Sequence, residues 1–183
     1  MTDKYNDGLR WVRPCAWGAS TMLILLPLFV MKIADPMAWN LADLPFAFVM
    51  IAAVGLAFEF ALRVPATWAY VAGSALAVGA AALLILGNLA VGFAGSEDNA
   101  INIIFFVIPA LALIGSVVVS FRPYGVSIAL ACAAAAQITA GLIAYYHGHL
   151  TAPLTVTFSA LWLASSLLFL RSSRVPLTVR DSA

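Results

Sequence analysis

The sequence predicts an all-α membrane protein: a polytopic bundle of six transmembrane helices with both termini in the cytoplasm. Hydrophobic residues make up 64% of the 183 residues and charged residues only 9%, whereas a soluble domain carries about 25% charged residues. Residues 123–170 contain no Lys, Arg, Asp or Glu, and a soluble domain of this size could not cover such a stretch with its own surface. The apolar runs are continuous and longer than barrel strands, so they indicate helices.

Each crossing of a hydrocarbon layer of roughly 30 Å takes about 20 mostly apolar residues, because a helix rises about 1.5 Å per residue. Six spans are predicted on this basis, and their bounds in chain order are 17–31, 44–62, 66–91, 102–121, 126–146 and 154–170. The chain, 1–183, is therefore expected to form a single transmembrane domain, with a cytoplasmic tail at 1–16, the six-helix bundle at 17–170 and a second cytoplasmic tail at 171–183.

Charges and turn residues bound the first three spans. The first span ends before Lys32 and the Ala-Asp-Pro turn at 34–36, and it lacks a small-x-small cleavage site, so we expect a retained anchor. The second span is followed by Arg63. The third lies in the uncharged run 64–96, which no breaker divides, and half of that run could not cross a bilayer. A single tilted helix is therefore predicted there.

Turn chemistry also bounds the last three spans. The fourth span follows the polar loop 95–99 and ends before Arg122. The fifth ends at the His-Gly-His turn at 147–149, and the sixth lies between Pro153 and Arg171.

The distribution of basic residues predicts the orientation, since Lys and Arg accumulate in short cytoplasmic loops. With six spans and both ends inside, Lys32 alone falls on the outer side, where its long side chain can snorkel to the headgroups. The other eight all fall in the cytoplasm: Lys4, Arg10, Arg13, Arg63, Arg122, Arg171, Arg174 and Arg180.

Small side chains mark helix faces that approach closely in lipid. They recur at helical spacing in the third, fourth and fifth spans, so these three are predicted to form the centre of the bundle. The residues concerned are Gly73, Ala77, Ala80, Ala81, Ala112, Ser116, Ser120, Ala129, Ala133, Ala136, Ala140 and Ala144.

Four polar residues are candidates for a polar cavity. Glu59 is the one ionisable residue inside a span. It lies four residues before Arg63, a spacing that suits an interfacial ion pair. The alternative is a proton or cation site, because ionisable residues inside a span are often functional. Gln137 falls near the middle of the fifth span, while Asn88 and Asn102 lie toward the outer ends of the third and fourth. These amides are expected either to join helices or to line a small cavity that opens outward.

The segment 87–102 carries Asn-Leu-Ala-Val-Gly, then Gly-Ser-Glu-Asp-Asn, and then Asn102. In these residues the chain resembles small, uncharacterised multi-pass membrane proteins of bacteria. The resemblance implies a bacterial inner (cytoplasmic) membrane and supplies no activity. Independently of it, Asp98 or Asn99 is expected to cap the fourth helix through the free N–H groups of its first turn.

His147 and His149 are predicted on the same outer face as Glu97 and Asp98. A His-x-His pair with a nearby carboxylate has the ligand types of a zinc or copper site, and carboxylate with amide oxygens could hold a hard cation. The alternative is that these are polar residues of the interface. No resident cofactor or metal is expected, so the four residues are candidates only.

The sequence contains no phosphate-binding Gly-x-x-x-x-Gly-Lys, no His-Glu-x-x-His, no Cys-x-x-Cys and no Gly-x-Ser-x-Gly. We therefore expect a non-catalytic membrane protein, an accessory or scaffold subunit of a membrane assembly. The other hypothesis is a transporter or channel for a small solute or cation with a polar entrance on the outer face. The expected partners are the lipid bilayer and either another membrane protein or further copies of the chain. The net charge of +1 does not indicate a nucleic-acid partner.

Overall fold

The computed structural model describes residues 67–95 and 99–174 continuously, together with scattered positions between 14 and 59. Four helices lie in the continuous part, joined by turns, and no strand occurs among the described residues. Their bounds are α1 Trp68–Val91, α2 Ile103–Val118, α3 Pro123–Tyr146 and α4 Ala152–Ser173, with a short 3-10 helix at Ala100–Asn102 before α2.

These helices correspond to the third to sixth predicted spans. The segments Trp68–Leu89, Ala100–Val118, Pro123–Tyr146 and Ala152–Ser173 are long and apolar enough to cross a membrane. The all-helical, membrane-capable character of the fold is thus confirmed for this part of the chain. The first two predicted spans and both tails lie mostly or wholly outside the described residues, so six crossings and the orientation remain predictions.

α1 is a single helix of 24 residues, as predicted for the long uncharged run. The Thr67 hydroxyl caps its start by accepting a hydrogen bond from the Tyr70 N–H at 3.3 Å. Gly92 ends it with φ of 62°, a left-handed conformation that glycine adopts without a Cβ clash.

α2 and α3 both end in Schellman motifs, in which two N–H groups return to carbonyls of the last turn. At the end of α3, Gly148 has φ of 84°, and the next N–H, that of His149, bonds the Ala144 carbonyl at 2.9 Å. At the end of α2 the equivalent left-handed position is Ser120, with φ of 53°, and the N–H of Phe121 bonds the Ser116 carbonyl at 2.9 Å. The predicted turn at 147–149 is confirmed.

α3 and α4 start two to three residues earlier than predicted, because the sequence-based bounds treated Pro123 and Pro153 as turn residues outside the helix. In the structure both prolines lie in the first helical turn. A proline is tolerated there, since its missing N–H would have had no partner in the helix.

The four helices form a ring in the order α1, α4, α3, α2. α4 packs most extensively against α3 and next against α1, while α2 packs against α3 and less extensively against α1. The prediction that placed the third, fourth and fifth spans at the centre therefore missed α4. It counted small residues in the other three spans and ignored the serines of the sixth, of which Ser159, Ser165, Ser166 and Ser172 are buried.

Small residues do mark close contacts, as predicted. A Cβ built on Gly73 would lie 3.1 Å from the Phe169 ring, at the interface of α1 with α4. A Cβ on Gly115 would lie 2.9 Å from the Ala129 Cβ, at the interface of α2 with α3. Both glycines thus let neighbouring backbones approach closely.

The two ends of the ring, which we call inner and outer after the predicted orientation, are closed differently. The inner end, formed by 67–70 and 119–124 with the end of α4, contains a hydrogen bond from the Thr67 hydroxyl to the Ser172 hydroxyl at 2.8 Å. There the Tyr70 hydroxyl also donates to the Phe121 carbonyl at 3.2 Å. The outer end, formed by 88–95, 99–102 and 147–151, holds the predicted site residues Asn88, Asn102, His147 and His149.

Candidate functional site

Three asparagines hold the turn between α1 and α2, and we call them, with the backbone of 92–95, the asparagine turn. Asn88, 2% exposed, donates from Nδ2 to the Asn102 carbonyl at 2.8 Å, and its Oδ1 accepts from the Phe93 N–H at 3.2 Å. Because a backbone acceptor and a backbone donor flank the two ends of this amide, its orientation is fixed.

Asn102 and Asn99 complete the asparagine turn. The Asn102 Oδ1 accepts from the Ala94 N–H at 2.8 Å. Asn99 donates from Nδ2 to the Ala94 carbonyl at 2.7 Å, and its Oδ1 accepts from the Ile101 N–H at 3.0 Å, which caps the 3-10 helix that leads into α2. Asn99 thus caps the 3-10 helix and not α2 itself, whose N-cap residue, Asn102, makes no side-chain capping hydrogen bond. Asp98 lies outside the described residues.

His149 joins the end of α3 to this turn. Its Nε2 lies 3.1 Å from Asn99 Nδ2, and since that amide nitrogen is a donor, Nε2 acts as the acceptor in the neutral ring. A Cβ on Gly95, where φ is 90°, would lie 3.1 Å from the His149 ring, so glycine is required on both counts.

The metal-site residues come together only in part. His147 is exposed and stacks edge-on against the Tyr146 ring, with 5.9 Å between centroids, while His149 has one ring nitrogen engaged by Asn99. Among the described residues there is no group of three or more His, Cys, Asp or Glu that could hold a metal. Glu97 and Asp98 lie outside the described residues, so the metal site stays a prediction.

Glu59 occupies a helical, half-buried position among the scattered described residues. Its predicted partner, Arg63, lies outside them. The ion pair and the proton or cation site that were predicted for Glu59 both remain predictions.

Gln137 is fully buried near the middle of α3, which packs extensively against the antiparallel helix α4. Two contacts fix the register of this pair. Toward the inner end the hydroxyls of Ser127 and Ser166 lie 3.1 Å apart, and toward the outer end a Cβ on Gly141 would overlap the Thr155 side chain. The face of α4 that contacts α3 therefore includes both Thr155 and Ser166.

This register places Gln137 level with Ser159, because Gln137 precedes Gly141 by four residues and Ser159 follows Thr155 by four. Trp162 lies one further turn along the same face of α4. We call Gln137, Thr155, Ser159 and Trp162 the mid-interface cluster.

Every member of the mid-interface cluster has a buried polar atom without a hydrogen-bond partner. Gln137 is 0% exposed and Trp162 is 1% exposed. The unpartnered atoms are Gln137 Nε2 and Oε1, Thr155 Oγ1, Ser159 Oγ and Trp162 Nε1. A buried polar group left unpaired costs about 1–3 kcal/mol, so the cluster is a local concentration of unfavourable free energy.

Other hydroxyls in the same helix pair are paired. Ser166 donates to the Ser127 carbonyl at 2.7 Å, Ser165 donates to the Gly73 carbonyl at 2.7 Å, and Thr151 donates to the Gly141 carbonyl at 3.3 Å. The unpaired groups thus lie between the outer end and the middle of this helix pair.

Sequence reasoning identified Gln137 as a candidate but did not place Thr155, Ser159 or Trp162 beside it. The available signal was the spacing of Thr155, Ser159, Trp162 and Ser166, four, three and four residues apart, which places polar groups along one face of the sixth span.

The fold is that of a helical protein with membrane-capable helices. Neither the asparagine turn nor the mid-interface cluster assigns an activity to it. No protein-family model, no curated protein and no solved structure matches this chain.

Proposed function

We propose that this chain is a non-catalytic accessory or scaffold subunit of a membrane assembly. The observation that carries the proposal is the asparagine turn, because the amides expected to line an outer entrance bind backbone groups of the protein itself. Asn88 uses both ends of its amide in this way, and Asn102 accepts from a backbone N–H. Residues used like this stabilise a turn and have little hydrogen-bonding capacity left for a solute.

α2 offers the surface on which a partner helix would pack. It has the least extensive packing of the four helices, because its interfaces with α3 and with α1 are the two smallest in the ring. It also exposes a series of large apolar side chains: Ile103, Val107, Leu111, Leu113, Ile114, Val117 and Val118. This face suits either lipid or an apolar helix of another subunit.

The proposed location is the inner membrane of a bacterium, with six crossings and both termini in the cytoplasm. The basic residues at the inner end support it: Arg122, Arg171 and Arg174 are exposed there, and cytoplasmic loops collect such residues. A reporter fused after Ala183 should be active only in the cytoplasm. Activity in the periplasm would contradict the topology.

The subunit proposal is tested by native electrophoresis and mass measurement after extraction in mild detergent. We expect the chain to migrate with a stoichiometric partner, and substitutions of Leu111 and Leu113 by alanine on α2 should release that partner. Leu142→Ala, at an exposed position of α3, is the matched control and should leave the assembly intact. A chain that migrates alone, with lipid only, would contradict the proposal.

Transport of a small solute is the second candidate function, and the mid-interface cluster favours it. A path for a solute through the membrane needs polar groups that do not already bond within the protein. Gln137, near the middle of α3, has an amide without a hydrogen-bond partner. Swelling of proteoliposomes in a gradient of a neutral solute distinguishes the two functions, because only a transporter accelerates it.

A further inference from the structure

The outer-end polar residues belong to the turn that they hold, whereas the polar atoms of the mid-interface cluster have no hydrogen-bond partner in the fold. We propose that Gln137, Thr155, Ser159 and Trp162 form a binding site inside the membrane for a small neutral solute that carries both hydrogen-bond donors and acceptors, the chemistry of a primary amide or a short polyol. This inference goes beyond the accessory role and does not depend on it.

The atoms of the cluster define the hydrogen-bonding chemistry of the ligand. The Gln137 amide presents two N–H donors and a carbonyl acceptor, and the Trp162 indole presents a donor. The hydroxyls of Thr155 and Ser159 can act in either sense. A ligand that pairs all of these groups must therefore both donate and accept.

The absence of charge defines the ligand as neutral. The sequence from 123 to 170 has no Lys, Arg, Asp or Glu, and its two histidines lie at the outer end. A charged solute at this depth would find no counter-ion on α3 or α4, and burying an unpaired charge is far less favourable than burying a polar neutral group.

The surroundings of Gln137 explain why the fold itself leaves the amide unpaired. The four residues that adjoin it on its own helix face, three and four positions away, are Ala133, Ala134, Ala140 and Gly141. None of these has a polar side chain, and all are among the smallest residues. The partner must come from another helix or from a ligand, and on α4 the polar atoms level with Gln137 are themselves unpaired.

The length of the cluster limits the size of the ligand. Thr155 and Trp162 are seven residues apart on α4, which corresponds to about 10 Å along the helix axis. Acetamide and glycerol fit within this length and have the required donors and acceptors. Acetate and methylammonium have similar size but carry a charge, so they are the matched negative probes.

The first test measures Tm for the purified full chain in detergent with each probe. We expect acetamide at saturation to raise the Tm of the wild type by about 2–4 °C more than that of Gln137→Met. Comparing the two proteins removes the general effect of a co-solvent. Thr139→Val is the control, because the Thr139 hydroxyl is exposed and bonds within its own helix, and this variant should respond like the wild type.

The second test observes the site directly. Of the five tryptophan indole N–H signals in a ¹⁵N-labelled sample, the one lost in Trp162→Phe belongs to Trp162. Acetamide and glycerol should shift this signal in the wild type and not in Gln137→Met or Ser159→Ala. The inference is overturned if neither neutral probe shifts it, if acetate or methylammonium shifts it equally, or if Gln137→Met responds like the wild type.

Discussion

The asparagine turn and the mid-interface cluster contain the same kind of side chain in opposite situations. Asn88 and Gln137 are both carboxamides, 2% and 0% exposed. The amide of Asn88 meets a backbone carbonyl and a backbone N–H, whereas neither end of the Gln137 amide has a partner. Burial alone therefore does not say whether a polar residue stabilises a membrane helix bundle, because the nearby backbone decides it.

The backbone differs between the two regions for a physical reason. At residues 92–95 and at Asn99 the chain leaves helical geometry, so N–H and carbonyl groups there are free to bond side chains. In the middle of α3 every backbone group is used within the helix. A helical carbonyl can still accept a second bond, as that of Ser127 does from Ser166. No helical N–H is left to donate, so the acceptor end of an amide there can be paired only by another side chain or by a bound molecule.

The largest expected effect comes from breaking the asparagine turn. Asn88→Leu removes the acceptor of the Phe93 N–H and a donor to the Asn102 carbonyl, so the turn loses two hydrogen bonds. We expect a loss of about 2–4 kcal/mol in the free energy of unfolding, measured by thermal or SDS unfolding in detergent. Leu89→Met, at the exposed neighbouring position, should change it little. A loss no larger than that control would mean that the turn does not depend on Asn88.

The next effect concerns the close approach of α3 and α4. In Gly141→Ala the new methyl group overlaps the Thr155 side chain, so we expect a destabilisation of about 1–3 kcal/mol. Gly79→Ala makes the same chemical change in α1, where nothing lies within 4 Å of the added Cβ. It should be neutral or stabilise by about 0.5–1 kcal/mol. Equal effects of the two variants on the unfolding free energy would contradict the register of α3 against α4.

The third variant should have the opposite sign to the first. Gln137→Met keeps a side chain of similar length and removes two unpaired polar atoms from the interface. In the absence of added solute we expect it to stabilise the fold by about 1–2 kcal/mol, again from unfolding in detergent. Ile138→Leu on the exposed side of α3 serves as the control. A clear destabilisation by Gln137→Met would show that the fold itself pairs this amide.

The smallest effect is expected where the interface is already paired. Ser166→Ala removes the hydrogen bond to the Ser127 carbonyl, and such interhelical bonds contribute about 0.6 kcal/mol on average in membrane proteins. Unfolding of this variant beside Thr139→Val measures the difference, since the Thr139 hydroxyl bonds only within its own helix. A loss of unfolding free energy as large as that of Asn88→Leu would contradict this order, because the paired serines would then contribute as much to stability as the turn.

Hydropathy and turn residues account well for the individual helices. The third span, predicted as one unbroken helix, is one, and the turn at Gly148 lies at its predicted place. The predicted starts of α3 and α4 are wrong by two or three residues, because a proline reads equally well as a turn residue or as the first residue of a helix. The extensive packing of α4 was not predicted from the pattern of small residues, because its interfaces depend on serines and aromatic rings rather than on alanine and glycine alone.

The sequence identifies the polar residues by type and leaves their roles open. A single sequence locates Asn88, Asn102 and Gln137 but does not say which of them meets a free backbone group. It also contains no register between the fifth and sixth spans, so the four members of the mid-interface cluster could not be assembled from it.

What the sequence determined by itself is the secondary structure and the apolar character of the helices: long uncharged runs of apolar residues predict helices that are able to cross a membrane. What the tertiary structure decided is whether each buried amide has hydrogen-bond partners. Hydrogen bonds act over about 3 Å. Asn88 finds its partners in the turn that follows it, 5 and 14 residues along the chain, whereas the isolation of Gln137 depends on which atoms lie opposite it when the helices pack.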